Sequence, residues 1–264
     1  MAGVRAAGQG IGWRGALWLG FFGLVLAGWV ALWAMGQERA ALSGSFGLAL
    51  LAELCGGDVA ALRFPALFAM WAVMSAAMMA PTAAPAFATW MRLPRGGSGG
   101  PVGTMALMGG YLALWLGASA GFALAQRGLA LNGLVGADGG SLSLWLTAGL
   151  FLMAGGYQFS RLKGACLSRC RAPLTFFVAH WRPGPTGAFA AGLRLGLVCL
   201  GCCWALMALA FVGGMTNLLW MGLATALMVV EKLPEAGRRL TRPLGGALLL
   251  AGGAAALLAM GGLT

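Results

Sequence analysis

Seven stretches of this chain are too long and too apolar to belong to anything but helices that cross a bilayer. They cover about 15–36, 64–91, 102–126, 142–160, 187–213, 216–231 and 244–262. A spanning helix needs about 20 apolar residues, and lipid leaves no other partner for backbone groups outside a closed barrel. The sequence therefore predicts an all-α, polytopic fold. It reads as one transmembrane helical domain over 1–264, with short connections and no separate soluble unit. The first stretch is too long for a signal-peptide core and no small-residue cleavage site follows it, so it reads as a retained span.

Charge sets the orientation. With the N-terminus inside, the inner side carries Arg5, Arg14, Arg92, Arg95, Arg161, Lys163, Arg169, Arg171, Arg182, Lys232, Arg238, Arg239 and Arg242. The outer side carries Arg39, Arg63 and Arg127. That bias predicts an N-in, C-out topology. It also absorbs the net charge of +11, which would otherwise suggest a nucleic-acid partner. The bilayer is the expected partner, and nucleic acid is not. The longest outer connection, 37–63, is apolar in part and reads as an interfacial segment; Cys55 within it is given no role.

Two spans carry more sulfur than lipid contact requires. In the fifth, Cys199, Cys203 and Met207 follow an i, i+4, i+8 spacing with Cys202 beside them, so they share one helix face. In the second, Met70, Met74 and Met78 repeat that spacing, with Met79 adjacent. Thiols and thioethers suit a soft ion, Cu(I) above others. Cys and Met also fill irregular gaps well, which makes packing the competing reading. Opposed spans packed side by side would set Met78 level with Cys199, Met74 with Cys203 and Met70 with Met207. Pro81 and Pro85 predict a kink or break below the methionines.

Further candidates lie inward. Cys166 and Cys170 share a face if their segment is helical, and Lys163, Arg169 and Arg171 would favour their thiolates. That pair reads as a second metal site. His180 and Glu231 are candidate ligands at the ends of spans, Glu231 with Lys232 as its local partner. Tyr111 and Tyr157, each after a Gly-Gly pair, read as interfacial aromatics. Gly192 and Gly196 predict close helix packing. The repeated Trp-Ala-x-Met at 71–74 and 204–207 hints at an inverted repeat. No Walker loop, dinucleotide fingerprint, His-Glu-x-x-His or Ser-His-Asp set is present, so catalysis of the soluble-enzyme kind has no motif behind it.

Longer motifs run through the same regions. They include 70–85 (Met-Trp-Ala-Val-Met-Ser-Ala-Ala-Met-Met-Ala-Pro-Thr-Ala-Ala-Pro) and Tyr157-Gln158 through Cys166, Cys170 and Pro173-Leu174. His180-Trp181, then 192–207 with Asn217 to Trp220 and Glu231-Lys232, complete the set. In these the chain resembles a bacterial family of predicted metal-binding integral membrane proteins, a domain of unknown function, over about 64–243. The resemblance implies a metal-binding protein of the bacterial inner membrane. Relatives commonly carry histidine where this chain has Arg169 and Leu195, which leaves a site here to sulfur. The resulting expectation is copper handling, by transport or delivery, with a copper donor or acceptor protein as partner. The alternatives are a metal-free subunit of a larger membrane redox complex and a thiol–disulfide oxidoreductase.

Overall fold

The computed structural model describes residues 12–35, 64–93, 100–136, 139–215 and 217–261. The outer connection with Cys55 lies outside them. Ten helices occur among the described residues: α1 (Trp13–Met35), α2 (Phe64–Arg92), α3 (Pro101–Leu131), α4 (Leu144–Gln158), α5 (Arg161–Arg171), α6 (Pro173–Ala179), α7 (Gly184–Ala208), α8 (Ala210–Gly213), α9 (Leu218–Lys232) and α10 (Ala236–Met260). No strand is present among them; one isolated bridge, Val135 to Ser141, closes the turn after α3.

Among the described residues five segments are long and apolar enough to cross a membrane: Trp13–Ala34, Phe64–Arg92, Pro101–Leu131, Gly184–Gly213 and Ala236–Met260. The fourth predicted span falls a few residues short of 142–160, and the sixth is about as short as its predicted 216–231. Each is a helix of 15 residues, or about 22 Å at 1.5 Å per residue, against a hydrocarbon core of about 30 Å. Local chemistry stops both. After α4 the Ser160 hydroxyl accepts from the Lys163 backbone N–H at 3.1 Å and starts α5 in a new direction. After α9 comes Leu233-Pro234, and a residue before proline is pushed out of helical geometry. Pro173 divides α5 from α6 in the same way.

α2 differs from expectation in the other direction. It runs unbroken through Pro81 and Pro85. Just before Pro81 the Met79 carbonyl accepts from Thr82 Oγ1 at 2.8 Å and from Tyr111 OH at 3.0 Å, which ties this stretch of α2 to α3.

Small residues bring the helices together. A Cβ on Gly110 would strike the Phe189 carbonyl, and one on Gly192 the Leu107 carbonyl, so α3 and α7 lie backbone to backbone. The predicted Gly192/Gly196 contact is thus made with α3. Gly155 against Leu249 and Gly252 against Leu152 do the same for α4 and α10. α7 is the central helix, with 72% of its apolar window buried, while α1 is peripheral at 6%. α2 is locked to α3 by Trp71 Nε1 donating to Gln126 Oε1 at 2.7 Å and by stacking of Trp71 on Phe122. α5 packs on α7, which sets its two cysteines beside those of the central helix.

Candidate metal centre

The sulfur cluster is built mainly by α7. Cys199, Cys202 and Cys203 stand at i, i+3 and i+4, one face of a helix. The thiols of Cys202 and Cys203 turn back to donate to the Cys199 carbonyl at 3.0 and 2.9 Å. This folds the three sulfurs onto one another: all three Sγ atoms lie within 4.8 Å, and all three residues are buried. It is the group of this kind found among the described residues.

Other elements add to it. Cys170 of α5 brings its sulfur to 3.9 Å from that of Cys202. Met79 of α2 sets its thioether 3.6 Å from the Cys203 thiol. Met70, Met74, Met78 and Met207 are buried in the same core. Relative to the expected register, α2 has slipped by about one turn. Met79 rather than Met74 meets Cys203, and Thr82 rather than Met78 stands by Cys199, at 4.0 Å. The cause is that α2 and α7 do not lie side by side. α3 is packed along α7, and α2 reaches the cysteines through side chains.

Three polar groups surround Cys199 that the sequence reading did not place there. Lys232, at the end of α9, brings Nζ to 3.0 Å from the Cys199 sulfur and also donates to Thr82 Oγ1. The Tyr111 hydroxyl lies 3.1 Å from the same sulfur. Tyr111 is 1% exposed, so it is a core residue and not part of an interfacial belt. Tyr157 likewise turns inward and donates to the Gly201 carbonyl. Both tyrosines thus meet the cysteine stretch of α7, one from each flank. Their sequence signal was the Gly-Gly pair before each, which admits close contact; it identifies packing, and the phenol follows from it.

Glu231 does not pair with its neighbour Lys232. Its Oε2 is 2.7 Å from Lys163 Nζ, with both side chains buried, and Oε1 has no partner. Arg171 donates to the Glu231 backbone carbonyl through Nε and Nη2, at 2.9 and 2.7 Å. Lys163 and Arg171 are therefore committed elsewhere, and the lowering that Arg169 exerts on Cys166 is outweighed. Burial, with Cys202 nearby, raises the Cys166 thiol above its ordinary value. Hydrogen bonding to Cys202, and then burial, raise Cys170. His180 stands apart. It ends α6, with Nδ1 at 2.9 Å from the Phe176 carbonyl and its ring against Phe176.

A family model described as PpoB2, copper chaperone, matches residues 68–255, a stretch that holds every residue of the cluster. No functionally described protein and no solved structure matches the chain. The metal-binding resemblance read from the motifs thereby narrows to copper. With more than half of its length matched, the chain belongs to the PpoB2 copper-chaperone family.

Proposed function

We propose that this protein is a membrane-embedded copper chaperone that holds Cu(I) as cargo on Cys199, Cys202 and Cys203. Met79 and Cys170 lie at the rim of that site, and Met74, Met78 and Met207 extend the sulfur lining around it. Cys166 and Cys170 form the inner approach, through which a donor or acceptor protein exchanges the ion. His180 and Glu231 take structural roles. The site lies in the bacterial inner membrane, N-terminus inside.

The observation that carries the reading is the clustering of three buried thiols within 4.8 Å in a chain of a copper family. Three thiolates around one ion, at the ~2.3 Å of a metal–thiolate bond, stand roughly 4 Å apart. The observed limit of 4.8 Å admits that spacing. Charge supports it as well. Thiolates are costly at this depth alone, but Lys232 supplies a positive neighbour at 3.0 Å, and the cargo ion supplies another. Soft thiolate and thioether donors favour Cu(I) over the hard divalent ions.

Protein purified in mild detergent under reducing conditions, after growth with added copper, should carry about one copper per chain, as expected for one soft-donor site. Copper at background level in folded protein would reject the reading and favour the metal-free subunit.

A further inference from the structure

Away from the sulfur cluster, at the end of the bundle where α4 stops, lies a cavity of about 560 Å³. Gln158, Arg171, Arg238, Thr241 and Arg242 are among its walls. Three guanidinium groups thus face one concavity, and no carboxylate is among the lining residues. The nearest acid in the chain of contacts, Glu231, gives its carboxylate to Lys163 and meets Arg171 only through its backbone carbonyl. Among the described residues the Lys163–Glu231 pair is the one salt bridge, so no carboxylate pairs directly with the three arginines of the cavity, although Glu231 still attracts Arg171.

A second observation points to a ligand. Gln158 is 5% exposed, and neither its amide nitrogen nor its amide oxygen has a hydrogen-bond partner. A buried amide with both ends unmatched is rare, because it gives up its hydration for nothing. Here it stands in the wall of a basic cavity. Arg238 adds the first turn of the 25-residue helix α10, the end of a helix that favours negative charge.

We propose that this cavity binds a phosphate-bearing anion. The guanidinium forks of Arg238 and Arg242 match phosphate oxygens in pairs. Arg171 adds its charge while its Nε and Nη2 serve the Glu231 carbonyl, and a turn of the buried Gln158 amide toward the anion would give it the partner it lacks. Two sources present that chemistry: the phosphodiester headgroup of an anionic phospholipid, and free inorganic phosphate. Basic pockets between helices at an inner membrane face are of the kind that hold headgroups. The proposal does not depend on copper; only its lipid arm depends on the membrane placement.

The test uses the full chain in uncharged detergent. Its thermal midpoint is measured with phosphatidylglycerol, with phosphatidylcholine and with inorganic phosphate. A ligand that binds the folded state raises the midpoint with concentration. A rise with phosphatidylglycerol but not phosphatidylcholine supports a headgroup site, and a rise with phosphate supports a free-anion site. The double variant Arg238→Gln/Arg242→Gln should weaken the response at least tenfold in ligand concentration. Arg239→Gln, an exposed neighbour that is not among the lining residues, should keep it. Gln158→Leu should raise the midpoint of the ligand-free protein, since it removes the unmatched amide, and should blunt the response to the anion. No rise with either anion overturns the proposal. So does a double variant that responds as the parent does, an equal loss in Arg239→Gln, or an undiminished response in Gln158→Leu.

Discussion

Helices α5 and α7 lie against each other and both carry cysteines, yet they have been given opposite electrostatics. α5 brings Lys163, Arg169 and Arg171 in its own sequence. Its lysine is nevertheless spent on Glu231, its Arg171 on a carbonyl, and its thiols are held protonated by burial and by Cys202. α7 has no basic residue within its cysteine stretch. Its thiols receive an ammonium from another helix, Lys232 of α9. Charge near a cysteine in sequence is thus a poor guide to charge near its sulfur. The thiols of the helix that looked primed for thiolate chemistry are raised instead.

The two lysines sharpen the same point. Glu231 and Lys232 are consecutive, and each crosses to a different helix. Lys163 with Glu231 is neutral as a pair, and it ties α5 to α9. Lys232 with Cys199 is neutral only when the sulfur carries a negative charge. One pair needs nothing more, whereas the other is completed by a thiolate and so favours metal binding. If this contrast holds, the first pair governs stability and the second governs copper.

The largest expected effect is on stability. Lys163→Met or Glu231→Gln leaves one buried group without its partner, which costs about 3–5 kcal/mol. Thermal unfolding in detergent should show either variant strongly destabilised, and Lys163→Met with Glu231→Leu largely restored. Replacing both by apolar groups removes the unpaired charge. Equal losses in the single and double variants would mean that the pair does more than hold the helices.

Next comes copper occupancy. Cys199→Ser and Cys203→Ser should each remove most of the bound copper while the thermal midpoint of the metal-free protein moves little, since the size change is small. Met79→Leu should weaken binding less, because a neutral thioether is the poorer donor. Its packing cost should stay under about 1.5 kcal/mol. Full occupancy in both serine variants, with loss in Cys166→Ser and Cys170→Ser, would move the site onto α5 and reverse the comparison.

A smaller effect is expected from Lys232→Met. Copper retention against a competing chelator should weaken by roughly tenfold, a change of about 1.4 kcal/mol. Unfolding should shift much less than it does in Lys163→Met. Were the two lysine variants to lose stability and copper in the same proportion, the division of labour between them would not exist.

Much of this architecture is legible along the chain. The helical class, the long apolar segments, the sulfur strip at Cys199, Cys202 and Cys203 and the close approach at Gly192 all follow from period and composition. The ends of α4 and α9 are legible to within two residues of the predicted 160 and 231, because polar sequence follows both. What could not be read is the set of partners of Cys199. Lys232, Tyr111 and Thr82 come from three other helices, and only the packing of α3 between α2 and α7 decides which of their faces reaches the sulfur. The slip of about one turn, from Met74 to Met79 against Cys203, has the same origin: span limits define depth to about a turn, and a ligand set needs better than that.

The smallest expected effect concerns the α5 thiols themselves. Cys170 is raised first by its hydrogen bond to Cys202, so at neutral pH it carries less thiolate than an ordinary thiol. Alkylation proceeds through the thiolate. In metal-free protein Cys170 should therefore react slowly at pH 7 and gain rate only as the pH passes above the usual thiol range. Cys202→Ala removes the partner that holds the proton, and labelling of Cys170 at pH 7, followed by mass spectrometry of its peptide, should then quicken severalfold. Burial is the second cause and survives the substitution, so the rate should stay below that of a free thiol. Ready labelling of Cys170 in the parent at pH 7 would show its sulfur to be as thiolate-rich as α5's own basic residues suggest, and the contrast between the two helices would fail at its weakest link.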